Sequence, residues 1–530
     1  MTATAAPPTL RVHDPLEAAL AIEALTSLRQ DELLAFLQHR RWFGAKGRTP
    51  SSVRIATAVP LRWETLRATI AVIEVAFGSG RIERYQLPLA VRREGAEGGE
   101  PRAVLARVES DRERGVLFDA TEDATFRRQL AAALEHSATF EDRGTRWVAE
   151  PVGEGATGLG AIVDTKVVAS EQSNTSIIFG DRAILKVFRR LEAGENPDVE
   201  ISRFLTLHTD FRNAPPLLGT LRLEATDGTS SVTGMLQQFL PGSSDAWRST
   251  LGSSRPFFAA PADQRPANPF RADAERLGTI TRELHEALAS RPAHEDPAFA
   301  PVPITPADLE RWSAAVRHMA EDALALLHDR LLARALPPNR MPEATIVARR
   351  REDYLAHISA MGAGLGGALG ERIRHHGDYH LGQVLRTADG DFMVIDFEGE
   401  PARPLAERRA PHSPLRDVAG MLRSFAYAAA TLATDLRDAL PPRVLEPRAH
   451  HWERDAREAF LTGYLGDTHA TFLPPSRRAI ERLLALFETE KVFYELSYEL
   501  NNRPDWIWIP LRGISRLLVD PASAGGPVEA

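Results

Sequence analysis

The residues with the most evident capacity for chemistry lie in one stretch, HHGDYHLGQVLRTADGDFMVIDFEGEP, from His375 to Pro401. Asp378 stands 5 residues before Gln383, and Asp396 stands 13 residues after it. A carboxylate such as Asp378 can take the proton of an attacking hydroxyl. A neutral amide oxygen at Gln383 and an acid at a strand end, Asp396, are hard oxygen donors suited to Mg²⁺. Glu398 adds an acid that can hold a metal, a water or a substrate hydroxyl. Two other readings compete. His375, His376, Asp378 and His380 form an imidazole-rich group of the kind that binds transition metals, and the stretch can equally be a histidine-rich surface loop.

The elements that must position these residues separate the readings. Lys186 sits alone in the apolar strand AILKVFRR, where an unpaired ammonium is costly. Either its head reaches water from a strand edge, or it holds phosphates and pairs with an acid. Glu200 follows in the next element, a helix opened by NPDVE with Pro197 at its first position and acids in its first turn. Before Lys186, the hairpin EQSNTS offers Ser173, Asn174, Thr175 and Ser176 between two strands. Such a hairpin is either an ordinary polar turn or a set of short donors for phosphate oxygens. The order is Lys, Glu, Asp with an amide five residues on, then a strand-end Asp. It matches the order of parts in protein-kinase-like enzymes, and it outweighs the transition-metal reading, which uses none of the other residues. GEGATG, Gly153 to Gly158, fits a glycine-loop pattern but precedes a strand instead of opening a helix, so it reads as a connector.

Across the 530 residues, three segments follow one another. Residues 1–137 read as a mixed α+β cap and residues 138–240 as a strand-rich lobe with one helix. Residues 241–530 read as a helical lobe entered through the Pro/Ala-rich connection SRPFFAAPADQRPANPFRA. AERLGTITRELHEALA, PADLERWSAAVRHMAEDALALLHDRLLARAL, HHWERDAREAFLTGYL and RRAIERLLALFETEKVFYELSYELNN carry apolar residues at helical steps. The tail PASAGGPVEA reads as disordered. The expected fold class is α+β: a bilobal, protein-kinase-like architecture with an N-terminal α+β cap subdomain. A net charge of −8 argues against a nucleic-acid footprint. With 0 cysteines there is no disulfide framework and no thiolate zinc site. No apolar run reaches membrane-spanning length, and the N-terminus lacks the signature of a signal peptide. These features predict a soluble cytoplasmic protein.

RRWFGAKGR (Arg40–Arg48), YQLPL (Tyr85–Leu89), HGDYHLGQVL, DFEGEPARPLAERRAPHSPLRDVAGMLRSFAYAA and VFYELSYELNNRPDW together resemble the maltokinases, relatives of the aminoglycoside phosphotransferases. The resemblance covers most of the chain. It implies ATP-dependent phosphorylation of maltose at its anomeric hydroxyl to maltose 1-phosphate, feeding glycogen or α-glucan synthesis. ATP and Mg²⁺ are the implied cofactors, and a functional link to a trehalose synthase and a maltosyltransferase is implied as well. Carried over motif by motif, Asp378 is the base, Gln383 and Asp396 are the Mg²⁺ ligands, and Lys186 with Glu200 is the phosphate-holding pair. The adenine-contacting hinge falls near Gln237 to Leu240, with Gln237 and Phe239 its candidate contacts. The phosphate hairpin is the softer match. Another sugar or an amino sugar such as glucosamine is the alternative acceptor, and a nucleotide-binding scaffold without catalysis is the non-enzymatic one.

In VFYELSYELNNRPDW, Tyr494 and Tyr498 share one helical face and Glu495 and Glu499 the next. Carboxylates accept sugar hydroxyls and aromatic rings cover sugar C–H faces. These four, with Trp506, His380 and Glu398, are therefore the candidate acceptor contacts. The opposing reading is a core helix whose tyrosines pack and whose glutamates pair with arginine. Trp42 and Phe43 in RRWFGAKGR read as packing residues of the cap.

Overall fold

A computed structural model describes residues 6–96, 99, 101–168, 173–261, 263–264, 266–361, 368–466 and 470–518. The expected disordered tail and the first two residues of EQSNTS, Glu171 and Gln172, lie outside them. The chain forms two compact units: residues 1–207 with 215–241, and residues 208–214 with 242–530.

The first unit is built on two sheets. One runs in the order Thr9–Arg11, Val104–Glu109, Arg114–Asp119, Ile82–Arg93, Arg67–Phe77 and Pro50–Arg62, and Arg190–Leu191 pairs along Ile82–Arg93. Its strand Arg67–Phe77 is apolar on both faces, as a strand covered on both sides must be. The alternation of strand side chains divides it. Ala71, Ile73 and Val75 join a core with Leu33, Phe36, Trp42 and Phe43 from the N-terminal helical segment. Ile70 and Val72 join a second core that also contains Trp147, Ile177 and Leu185 of the other sheet. The packing role expected of Trp42 and Phe43 holds: they are buried, and both rings meet Tyr85.

The other sheet is antiparallel throughout, in the order Thr139–Asp142, Thr145–Pro151, Leu217–Glu224, Ser230–Gln238, Ala183–Val187, Thr175–Phe179, Thr165–Val167. Lys186 lies on an interior strand, not at an edge. It alternates with Leu185 and Val187, which are buried, so it belongs to the less covered face. AIVDTKVV contributes only the short strand Thr165–Val167. The glycines before it serve as a connector: the N–H groups of Gly158 and Gly160 donate to the two oxygens of Glu135 at 2.7 and 2.9 Å. A loop that binds the chain's own carboxylate has spent the donors a phosphate would need.

The second unit is helical. The four expected amphipathic helices appear as Arg271–Leu288, Pro306–Leu332, Pro442–Leu465 and Arg477–Asn502. The start of the expected Pro/Ala-rich connection is itself helical, in Ala246–Ala259. The helix Leu415–Asp435 is buried on nearly every face. Its polar residues Arg416, Asp417, Arg423 and Ser424 are buried as well. Helices Arg271–Leu288 and Pro442–Leu465 approach closely. A Cβ added at Gly463 would stand 2.0 Å from the Glu275 carbonyl oxygen.

Gly463→Ala must push these helices apart. We expect a loss of about 1–3 kcal/mol in unfolding free energy, read as a lower urea midpoint with little change in m. A midpoint equal to wild type would contradict this packing.

Candidate active site

The loop carrying Asp378 is fixed by one face of the buried helix Leu415–Asp435. Asp417, Gly420 and Ser424 lie three and four residues apart and so share that face. Asp417 accepts from the His376 N–H at 2.7 Å and from the Gly377 N–H at 2.9 Å. Gly420 lets the Tyr379 carbonyl come so close that a Cβ would be 2.5 Å from its oxygen. Ser424 Oγ accepts from the Leu381 N–H at 3.1 Å. Three consecutive attachments thus hold residues 376–381.

Buried groups support Asp417 from behind. His285 Nε2 donates to Asp417 at 3.2 Å and its Nδ1 meets the Tyr464 hydroxyl at 3.0 Å. An ionised carboxylate can only accept, so the proton belongs on Nε2 and Nδ1 accepts from Tyr464. Burial opposes the charge of Asp417, but the imidazoles of His375, His285 and His376 hold its pKa below the ordinary Asp range. Burial likewise pushes the His375 imidazole down to about 3.

Asp378 projects from this loop, half-buried. Lys491 Nζ lies 3.7 Å from its Oδ1, and His380 Nε2 lies 3.9 Å from its Oδ2. His380 Nδ1 accepts from the Gly382 N–H at 3.0 Å, which leaves Nε2 as the proton-bearing nitrogen toward Asp378. Desolvation in the site lowers the His380 pKa, and the Asp378 carboxylate opposes that shift.

The second acid cluster is tied to the first by a hairpin. Val384–Arg386 pairs with Phe392–Val394, and one step beyond, the Ile395 N–H donates to the Gln383 carbonyl at 3.0 Å. Gln383 and Asp396 therefore meet at its open end, as the spacing predicts. His376 Nε2 bonds the Ile395 carbonyl at 3.0 Å. Gly377, at φ 84°, lies so near Gly399 that a Cβ would be 3.2 Å from the Gly399 Cα. Asp396 has φ 67°, a left-handed conformation uncommon outside glycine. One oxygen of Asp396 and one of Glu398 lie within 4.8 Å of each other. Carboxylate oxygens are hard donors of the kind Mg²⁺ takes. The imidazoles do not converge as metal ligands with Asp378 among the described residues. His376 instead spends Nε2 on Ile395, and the transition-metal alternative falls.

In the first unit, Lys186 Nζ pairs with Asp198 Oδ2 at 3.3 Å. The expected partner was Glu200. Asn196 caps the helix by accepting from the Asp198 N–H at 2.8 Å, so Pro197–His208 begins immediately before Asp198. Glu200 lies two residues on, in the first turn of the same helix. Ser176 is directly opposite Lys186 across the strand pair and thus on the same face. Thr175 faces the other way, and its hydroxyl accepts from Arg189 Nε at 2.8 Å. Ser173 is exposed, with its Oγ 3.4 Å from Asn174 Nδ2. In the expected hinge, the Phe239 N–H is given to the Arg182 carbonyl at 2.9 Å, and Gln237 Nε2 lies 3.5 Å from Ser202 Oγ.

The expected acceptor group divides. Glu495 accepts from Arg423 at 2.7–3.2 Å, and Glu499 accepts from Arg503 at 2.6 and 3.0 Å and from Tyr427 at 3.2 Å. Both are corrected to structural ion pairs, because each carboxylate faces an arginine inside the helical unit. Tyr494 stays beside the site, with Lys491 Nζ 5.6 Å from its ring centre. Burial and nearby Glu400 and Asp378 push its phenol up to about 12. Tyr498 is exposed, and Arg503 lies between its ring and that of Trp506. The sequence reading missed Asp417, Lys491 and Arg189. The signal for Lys491 was present: Lys491, Tyr494 and Tyr498 follow i, i+3, i+7.

The fold is the kinase-like one with an N-terminal cap. The chain aligns with a glucosamine kinase structure solved with glucosamine, ADP and inorganic phosphate. The match has a TM-score of 0.62 and 22% identity, over 94% of this chain and 98% of the other. A family model for the maltokinase N-terminal cap domain matches residues 36–123. In sequence, the chain is 28% identical over 406 residues to a glucosamine kinase of Streptacidiphilus jiangxiensis, covering 76% of this chain and 83% of the relative. It is also 28% identical over 368 residues to a glucosamine kinase of Mycolicibacterium smegmatis, covering 67% and 80%. The stretches RRWFGAKGR and YQLPL fall inside the segment that is similar to the maltokinase N-terminal cap domain.

Gly420→Ala should displace Tyr379 and with it Asp378. A shift of about 1 Å at a reacting group costs on the order of 100-fold in turnover, and we expect that loss in kcat with ATP binding retained. Asp417→Asn tests the clamp by pH. The folded pKa of Asp417 lies below its unfolded value, so its contribution to stability is full above about pH 4 and is lost as pH falls further. The stability of Asp417→Asn, followed by urea titration, should therefore fall less steeply than wild type below that pH. Parallel profiles would contradict the clamp.

Proposed function

We propose that this protein transfers the γ-phosphoryl group of ATP to the anomeric hydroxyl of maltose, giving maltose 1-phosphate. The observation that carries phosphoryl transfer is the joint fixation of Asp378 on a clamped loop and of Gln383 with Asp396 at the end of one hairpin. In this reading Asp378 accepts the proton of the acceptor hydroxyl as its oxygen bonds to phosphorus and ADP departs. Gln383, Asp396 and Glu398 hold Mg²⁺, which when bound offsets the charge of the phosphates. Lys186, steadied by Asp198, and Ser176 beside it attend the phosphates. Ser173 and Asn174 add short donors from the hairpin, and the segment Gln237–Leu240 contacts adenine through groups other than the Phe239 N–H. The three segments 1–137, 138–240 and 241–530 act as cap, nucleotide lobe and acceptor lobe.

The acceptor surface supports a neutral sugar. Lys491 places an ammonium beside the base. On the same helix Glu490 is paired with Arg403 and Arg416, and Glu495 and Glu499 are likewise paired. A cationic amino sugar would meet repulsion from Lys491 and no carboxylate of this helix left to hold it. His380 and Tyr494 are near enough to the base to contact the reacting ring. Tyr498, one turn on, and Trp506 extend the aromatic surface for a second ring. The maltokinase cap and motifs support maltose, and a link to enzymes that make maltose and consume its phosphate follows from that assignment. The second reading, glucosamine phosphorylation, is favoured by the names of the relatives.

Coupled ADP release with maltose, glucose and glucosamine decides between them. We expect turnover with maltose, and turnover with glucosamine alone would reject it. Lys491→Gln should raise glucosamine turnover about tenfold, the result of removing about 1–2 kcal/mol of repulsion between partly solvated charges.

A further inference from the structure

One buried residue ties the cap to the strand that carries Lys186. The strand Ala183–Val187 carries Lys186, and after two intervening residues the chain enters Arg190–Leu191, which pairs with Ile82–Arg93 of the cap sheet. Arg189 lies at this crossing between sheets. Its side chain is only 1% exposed. A guanidinium so buried is costly unless paired and hydrogen-bonded, and its partners come from both sheets. Arg189 Nη2 lies 2.7 Å from Asp119 Oδ2 and 3.0 Å from Thr121 Oγ1, both in the cap segment. Arg189 Nε donates to Thr175 Oγ1 at 2.8 Å, at the first residue of the strand that returns from the phosphate hairpin.

The cap reinforces the junction on either side. The guanidinium lies 5.1 Å from the Trp42 ring centre. The Gln86 N–H donates to the Arg189 carbonyl at 2.8 Å. Its side-chain amide donates to the Phe188 carbonyl at 2.6 Å and to the Thr233 carbonyl. The cap thus grips the backbone directly after Lys186 and, through one fixed cation, the hairpin strand opposite it.

We infer that Arg189 is a positioning residue through which the cap holds the Ser173–Ser176 hairpin at the geometry that receives nucleotide phosphates. This rests on the reading of that hairpin and Lys186 as the ATP phosphate site. The cap then acts on nucleotide affinity, not on the acceptor. A cap serving only stability would lower the melting temperature without favouring one substrate over the other.

Asp119→Asn and Thr175→Val each cut one side of the strut while leaving Arg189 in place. Arg93→Gln breaks cap ion pairs at the solvent end of Ile82–Arg93, the strand beside the one that carries Asp119, and serves as control. Both strut variants should raise the Kd and KM for ATP about tenfold, the scale of one charge-assisted hydrogen bond, with the acceptor KM unchanged. Their double variant should be no worse than either single one. Thr175→Ser, which restores the hydroxyl, should recover wild-type ATP affinity. Amide exchange at residues 175–179 should quicken in the strut variants and not in Arg93→Gln. Unchanged ATP affinity in Asp119→Asn would overturn the strut, as would a loss shared equally by both substrates or by the control. If wild type itself bound no ATP in direct titration, the functional reading would fail and the strut with it.

Discussion

The second unit depends on a single buried carboxylate accepting two consecutive backbone N–H groups. Asp417 holds the His376 and Gly377 amides, and its charge is tolerated in the interior because His285 completes its hydrogen bonds. Charge-assisted bonds of this kind are short and directional. They fix a loop that has no regular secondary structure of its own to fix it. Asp378 is two residues from the first of these amides, and the hairpin that brings Asp396 to Gln383 is sewn to the same loop through Ile395. The positions of Asp378, Gln383 and Asp396 are therefore consequences of one helix face, Asp417, Gly420 and Ser424.

Elsewhere the protein handles buried charge by pairing. Arg416 and Arg403 meet Glu490 and Glu400, Arg423 meets Glu495, and Arg503 meets Glu499. Such pairs add little net stability once desolvation is counted. Their effect is to settle which charges remain to face a substrate. Along Arg477–Asn502 the glutamates are paired with arginines and Lys491 stands near Asp378, so the charge around Asp378 follows from packing needs in the helical unit. In the first unit, the buried Arg189 joins two sheets, with Asp119 and Thr121 on one side and Thr175 on the other.

Much of this was legible in the sequence where local rules dominate. The alternation of AILKVFRR put Lys186 on a strand. The turn TADGD between short apolar runs joined Gln383 to Asp396, and the periodic helices were found. The failures came where tertiary partners decide. Asp198 was not chosen, because the cap at Asn196 that turns it toward Lys186 is seen only in the fold. Glu495 and Glu499 looked like sugar ligands because their arginine partners, Arg423 and, for Glu499, the close-by Arg503, are identified only by the folded geometry. Asp417 was missed because its partners, the His376 and Gly377 amides and His285, are brought to the helix Leu415–Asp435 only by the fold.

The central claim is that Asp378, held by this clamp, is the base of an ATP-dependent transfer. It is tested most directly by comparing Asp378→Asn with wild type in two assays on the same preparation, calorimetric ATP binding with Mg²⁺ present and ADP release in the presence of maltose. The account predicts ATP affinity near wild type and no detectable transfer. Transfer at a rate comparable to wild type would remove Asp378 from the role and with it the account of the site.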